Sequence, residues 1–113
     1  MSRIILLDSG PLGLLTAPPG KPGPSTDCTR WLAAGDRVLV PEITDYETRR
    51  ELVRAKKAKS VGRLDALAAA VGYLPLTTAV MRRAADLWAT ARQTGQPTAA
   101  DDTIDADMIL CAQ

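Results

Sequence analysis

Histidine and phenylalanine are absent from this 113-residue chain, and cysteine, tryptophan and tyrosine occur twice each. The missing histidine removes Ser-His-Asp and Cys-His mechanisms and the usual zinc ligands together, so any catalysis falls to carboxylates. Cys28 and Cys111 lie far apart in sequence, which suits two reduced, structural thiols better than a disulfide framework or a cysteine-rich zinc site. The few aromatics, Trp31, Tyr46, Tyr73 and Trp88, argue against a sheet that stacks bases, and any RNA contact is expected to be to phosphates. Apolar runs such as Ile4 to Leu7 and Met108 to Ala112 fall far short of the roughly 20 residues of a bilayer span, and no signal peptide opens the chain. A cytoplasmic protein with no membrane partner is expected. Fourteen Lys and Arg against thirteen Asp and Glu leave no global field, so a nucleic-acid signal has to be local.

The chain is long enough for one core and too short for two, so residues 1–113 are expected to form a single domain. Arg3 to Asp8 is a short apolar run closed by an acid and then Ser9-Gly10-Pro11, as in a buried parallel strand with Asp8 at its C-terminal end. Open α/β sheets build their sites at such ends. Thr16 to Pro24, with four prolines and two glycines, predicts an exposed, poorly ordered loop. A helix from Thr26 to Ala34 follows, stopped by Gly35. Arg37 to Pro41 predicts a second strand and Glu42 to Lys59 a helix with Ile43, Tyr46, Leu52 and Val53 buried, capped by Thr44 or the turn before it. Ser60 to Val71 predicts another helix, Gly72 its end, and Tyr73 to Leu76 an edge strand. Thr77 or Thr78 caps a helix to Arg92 whose face, Val80, Ala84, Leu87, Trp88 and Ala91, is assigned to the core, with Gly95 as stop. Gln96 to Thr103 is loop-like, and Asp101, Asp102, Asp105 and Asp107 precede an apolar run as acids do at a helix N-terminus. The alternation is that of a parallel sheet covered by helices, an α/β fold.

Three acids stand where this architecture can bring them together: Asp8 after the first strand, Glu47 in the first turns after the second, and Asp107 opening the last helix. Each also has an ordinary role, binding turn amides, lying on a solvated helix face or capping. The segments Ile5-Leu6-Leu7-Asp8-Ser9, Val40-Pro41-Glu42-Ile43-Thr44-Asp45-Tyr46-Glu47 and Asp105-Ala106-Asp107-Met108-Ile109-Leu110-Cys111-Ala112 resemble, in order and spacing, the first three acidic motifs of PIN-domain proteins. The similarity covers nearly the whole chain, and among such proteins it is to the single-domain bacterial toxins of the VapC type.

The resemblance implies a PIN-like parallel sheet of three strands in the order 3-2-1, flanked by helices, and a metal-dependent ribonuclease. By it Asp8, Glu47 and Asp107 are catalytic and hold Mg²⁺ or Mn²⁺, with Asp105 as a further metal-binding carboxylate. Glu42 competes with Glu47 for the second position. Clustered carboxylates repel one another until a hard, oxygen-preferring cation neutralises them, and a bound cation activates water without histidine. The implied reaction is hydrolysis of an RNA phosphodiester, and the implied partners are the RNA substrate and a small antitoxin, with a homodimer left open. Seven bases fall between Arg49 and Arg63; Arg49, Arg50 and Arg54 are the expected RNA contacts, against the commoner reading of a solvated helix face.

PIN proteins continue past the Asp107-like helix into further strands, so the chain is expected to be a C-terminally incomplete PIN-like domain. The alternative function is a catalytically silent PIN-like module that binds RNA or protein. A response-regulator-like or nucleotide-binding α/β protein is disfavoured, because no glycine-rich phosphate loop follows the first strand.

Overall fold

The computed structural model of the chain describes residues 3–17, 24–94 and 108–113. The chain divides into two compact units, Met1–Leu74 and Pro75–Gln113. The first holds β1 (Ile4–Leu6), α1 (Ser9–Thr16), α2 (Pro24–Ala33), β2 (Arg37–Pro41), α3 (Glu42–Arg54), α4 (Ala58–Val71) and β3 (Tyr73–Leu74). The three strands form a parallel sheet in the order β1-β2-β3, with Ile5 opposite Val38 and Val40 opposite Tyr73. The fold is α/β with helices flanking that sheet, and its strand order is the one expected. Parallel strands pair only when a crossover returns the chain to the same edge, and here α1 and α2 make the first crossover and α3 and α4 the second.

The core of this unit gathers Leu7, Leu12, Cys28, Val38, Val40 and Leu64. Leu12, Val38, Val40 and Leu64 have no exposed surface, and burial of each contributes about 1.5–3 kcal/mol. Burial pushes the Cys28 thiol up, so it stays protonated and inert, and both cysteines are free. Arg3 fastens the start of β1 to the turn before β2. Its backbone N–H donates to Asp36 Oδ1 at 3.0 Å and its guanidinium to Oδ2 at 2.9 Å, while the Asp36 side chain is 4% exposed.

Two helix ends share one hydrogen-bond pattern. After α2 the amide of Gly35 donates to Leu32 O and that of Asp36 to Trp31 O, with Gly35 at φ 86°. After α3 the amide of Lys56 donates to Val53 O and that of Lys57 to Leu52 O, with Lys56 at φ 57°. Both are Schellman endings, and glycine takes the left-handed position without the strain that a Cβ brings. The second ending corrects the expected helix Glu42 to Lys59, which stops at Arg54 so that α4 starts at Ala58. Gly72 is required for a different reason: at φ 141° a Cβ there would stand 2.8 Å from Leu39 Cδ2.

Further differences have local causes. α1 was not expected; it includes Thr16, whose hydroxyl donates to Gly13 O, while positions 18–23 of the expected loop lie outside the described residues. Tyr46 and Val53 are exposed rather than buried, because α3 turns Ile43, Thr44, Asp45 and Thr48 inward. Thr44 does not cap α3; it is buried and its hydroxyl donates back to Pro41 O. β3 ends at Leu74, before the proline.

The second unit contains α4's successor, α5 (Thr78–Gln93), and a helical turn at 108–112. Thr77 caps α5, its hydroxyl accepting from the Val80 amide at 3.1 Å. Of the expected core face only Ala84 is buried; Trp88 is 37% exposed, with the Arg92 guanidinium 4.9 Å from its ring centre. Gly95 and the loop from Gln96 to Thr103 lie outside the described residues.

Replacing Lys56 by glycine is expected to raise stability by about 1 kcal/mol, since it removes the Cβ strain of a left-handed residue; urea denaturation of both proteins checks this. The Arg3 guanidinium and amide hold the Asp36 carboxyl below the usual carboxylate range. A depressed folded value contributes stability above the unfolded value of about 4 and loses it as pH falls through the folded one. Stability is therefore expected to drop on the acid side of about pH 4, and less steeply in Asp36→Asn.

Candidate active site

The parallel register brings the C-terminal ends of β1 and β2 to one edge of the sheet. Asp8 follows β1 and caps α1 in extended conformation (φ −73°, ψ 167°), its Oδ1 accepting from the Ser9 amide at 2.7 Å. The carboxylate is at the surface. α3 starts directly after β2 and packs against α1. Between these helices runs a groove of about 340 Å³ lined by Ser9 and Gly13 of α1 and by Glu47, Thr48, Arg50, Glu51 and Leu52 of α3. Glu47 thus faces Asp8's chain neighbour across the groove. Glu42 stands elsewhere: its charge acts on Tyr73 in β3, whose hydroxyl is pushed up by burial first and then by Asp45 and Glu42.

Asp105 and Asp107, with Asp101 and Asp102, lie outside the described residues. Among the described residues no three carboxylates or thiols are grouped closely enough to hold a metal ion. Asp8 and Glu47 are the two members of the expected set whose places are described.

The expected RNA contacts divide. Arg49 is held by two carboxylates, donating to Asp45 Oδ1 at 3.0 Å on its own helix and to Asp65 Oδ1 at 2.6 Å on α4, which raises its pKa further. It joins α3 to α4. Arg54 pairs with Glu51 at 2.7 Å, and that ion pair lowers the Glu51 pKa. Arg50 lies over the Tyr46 ring at 5.2 Å from its centre, forms no ion pair among the described residues, and lines the α1–α3 groove. The seventh base of the run, Arg63, donates to Thr16 O at 2.7 Å and to the Ser60 hydroxyl at 2.8 Å, which satisfies a carbonyl at the end of α1.

Two features of the groove were missed from sequence. Ser9 was left as a turn residue, and Thr48 was not considered. Thr48 is 8% exposed, and its hydroxyl has no hydrogen-bond partner among the described residues. A threonine inside a helix normally returns its hydroxyl to a carbonyl one turn back, and this sequence carries no sign that Thr48 would not.

Comparison with protein-family models, curated proteins and solved structures finds no match for this chain.

Because an unmade buried hydrogen bond costs about 1–3 kcal/mol, Thr48→Val, which keeps the shape and removes the hydroxyl, is expected to leave stability unchanged or raise it. Thermal denaturation decides; a clear loss would mean that the hydroxyl has a partner.

Proposed function

We propose that this chain carries out metal-dependent hydrolysis of RNA phosphodiester bonds, as a PIN-type ribonuclease and the toxin half of a toxin–antitoxin pair. One placement supports the nuclease reading above all: Asp8 at the end of one parallel strand and Glu47 in the helix after its neighbour, meeting at the α1–α3 groove. Sites of α/β sheets form at these strand ends. The toxin reading, with a small antitoxin whose arginine fits the carboxylates bidentately, rests on the sequence resemblance.

The donor chemistry fits a hard cation, since all the residues concerned offer carboxylate oxygens. Asp8 and Glu47, with Asp107 and Asp105, would hold Mg²⁺ or Mn²⁺. Such an ion, when bound, activates a water and offsets charge on the phosphate. The chain's own groups do the rest. The cap bond to the Ser9 amide fixes the Asp8 carboxylate, and Glu47 and Asp8 accept the proton load of the attacking water. Arg50 supplies a guanidinium at the groove for a backbone phosphate. Arg49 and Arg54, engaged with carboxylates of the protein, contribute less.

Mn²⁺ titration of the full chain, with cleavage of a fluorophore-quencher RNA, tests the reading. Cleavage is expected to require Mg²⁺ or Mn²⁺, to stop with EDTA, and to be lost in Asp8→Asn and Glu47→Gln, which also bind Mn²⁺ more weakly. Cleavage that survives EDTA and both substitutions would sink the metal mechanism. Unchanged Mn²⁺ binding in both variants, without cleavage by the parent chain, would assign a silent binding module instead.

A further inference from the structure

The outward face of α3 is where the first unit leaves large apolar side chains in water. Tyr46 and Val53 are 55% and 61% exposed and lie on one side of the helix, two turns apart. With Arg49, Arg50 and Arg54 they line a shallow cavity of about 420 Å³. Its charge is uneven. Arg49 is neutralised by Asp45 and Asp65, and Arg54 by Glu51. Arg50 and the exposed Lys56, Lys57 and Lys59, just beyond the C-terminal end of the face, join no ion pair among the described residues.

We propose that this face docks an acidic protein segment, with an apolar side chain seated between Tyr46 and Val53 and carboxylates set against Arg50 and the three lysines. Tyrosine and arginine are the residue types that most often dominate protein interfaces, and here they surround an aliphatic floor. A second copy of the chain is a poor occupant, because two such faces would oppose unpaired cations. RNA fits less well: the floor offers Val53, the ring of Tyr46 is already covered by Arg50, and two of the three guanidinium groups are engaged. The proposal does not depend on the nuclease reading, since neither Tyr46 nor Val53 lines the α1–α3 groove.

The test measures fluorescence anisotropy of a labelled helical peptide with leucines on one face flanked by glutamates, titrated with the full chain. The same peptide with lysines for glutamates, and an oligouridylate, serve as comparisons. The acidic peptide is expected to bind, and Tyr46→Ala and Val53→Ser each to weaken it about tenfold. Both side chains are exposed, so the variants keep the fold, which an unchanged melting temperature verifies. Joint reversal of Lys56, Lys57 and Lys59 to glutamate gives an independent arm and is expected to weaken the acidic peptide while improving the basic one. The proposal is overturned if the acidic peptide fails to bind at about millimolar concentration, or if it binds all variants alike. It is also overturned if Tyr46→Ala and Val53→Ser weaken the oligouridylate instead, which would give the face to RNA.

Discussion

β2 is the strand on which the first unit depends, because it alone has a parallel partner on each side. Val38 and Val40 are sealed from solvent, and α2, α3 and α4 all pack on the strand. Parallel pairing then forces a consequence on function. With β1 and β2 running the same way, whatever follows each strand emerges at the same edge, so Asp8 and α3 become neighbours without being near in sequence. The Arg3–Asp36 bond fixes the start of this pairing, and Leu7 N–H donating to Leu39 O at 3.1 Å extends it to the residue before Asp8.

Charge in the α3–α4 region serves two purposes that compete. Of the bases between Arg49 and Arg63, Arg49 links α3 to α4, Arg54 binds Glu51 and Arg63 closes the end of α1. Each is a basic side chain withdrawn from any external anion. A guanidinium already hydrogen-bonded to carboxylates offers a weaker net field than its count in the sequence suggests. Arg50 and the lysines keep their charge for partners, and they sit on two different surfaces: Arg50 borders both the groove and the outward face of α3, and the lysines lie past its end.

The α1–α3 groove is open partly because α1 is short and carries Gly10 and Gly13, neither of which would place a Cβ within 4 Å of another residue. Its wall holds a hydroxyl with no partner among the described residues, at Thr48, beside Glu47. Unsatisfied buried polar atoms are uncommon in folded proteins and mark places where stability has been given up. Carboxylates gathered at one edge have the same cost through mutual repulsion, and both are expected of a site shaped for binding rather than for packing.

Strand β1, strand β2, helix α5 and the glycine stop of α2 were legible from the chain alone, since apolar runs, a threonine cap and a left-handed glycine are local signals with local causes. So was the parallel α/β class, which follows from alternation of strands and helices. The α1 helix was not legible: Ser9-Gly10-Pro11-Leu12-Gly13 reads as a turn, and it is helical because Leu12 and Thr16 are buried and Asp8 and Arg63 satisfy its two ends. The break at Lys56 was hidden because a non-glycine residue takes the left-handed position there, a strain that packing of α4 through Leu64 sustains. Burial was misjudged at Tyr46 and Val53, since helical spacing tells which residues share a face but not which face meets the sheet. For the site, the sequence by itself determined the residue types: carboxylates without histidine, at strand ends. Only the tertiary structure decided that Glu47, and not Glu42, lies at the groove beside Ser9, because that depends on the rotation of α3 about its axis, which is set by packing Ile43, Thr44 and Thr48 against the rest of the unit.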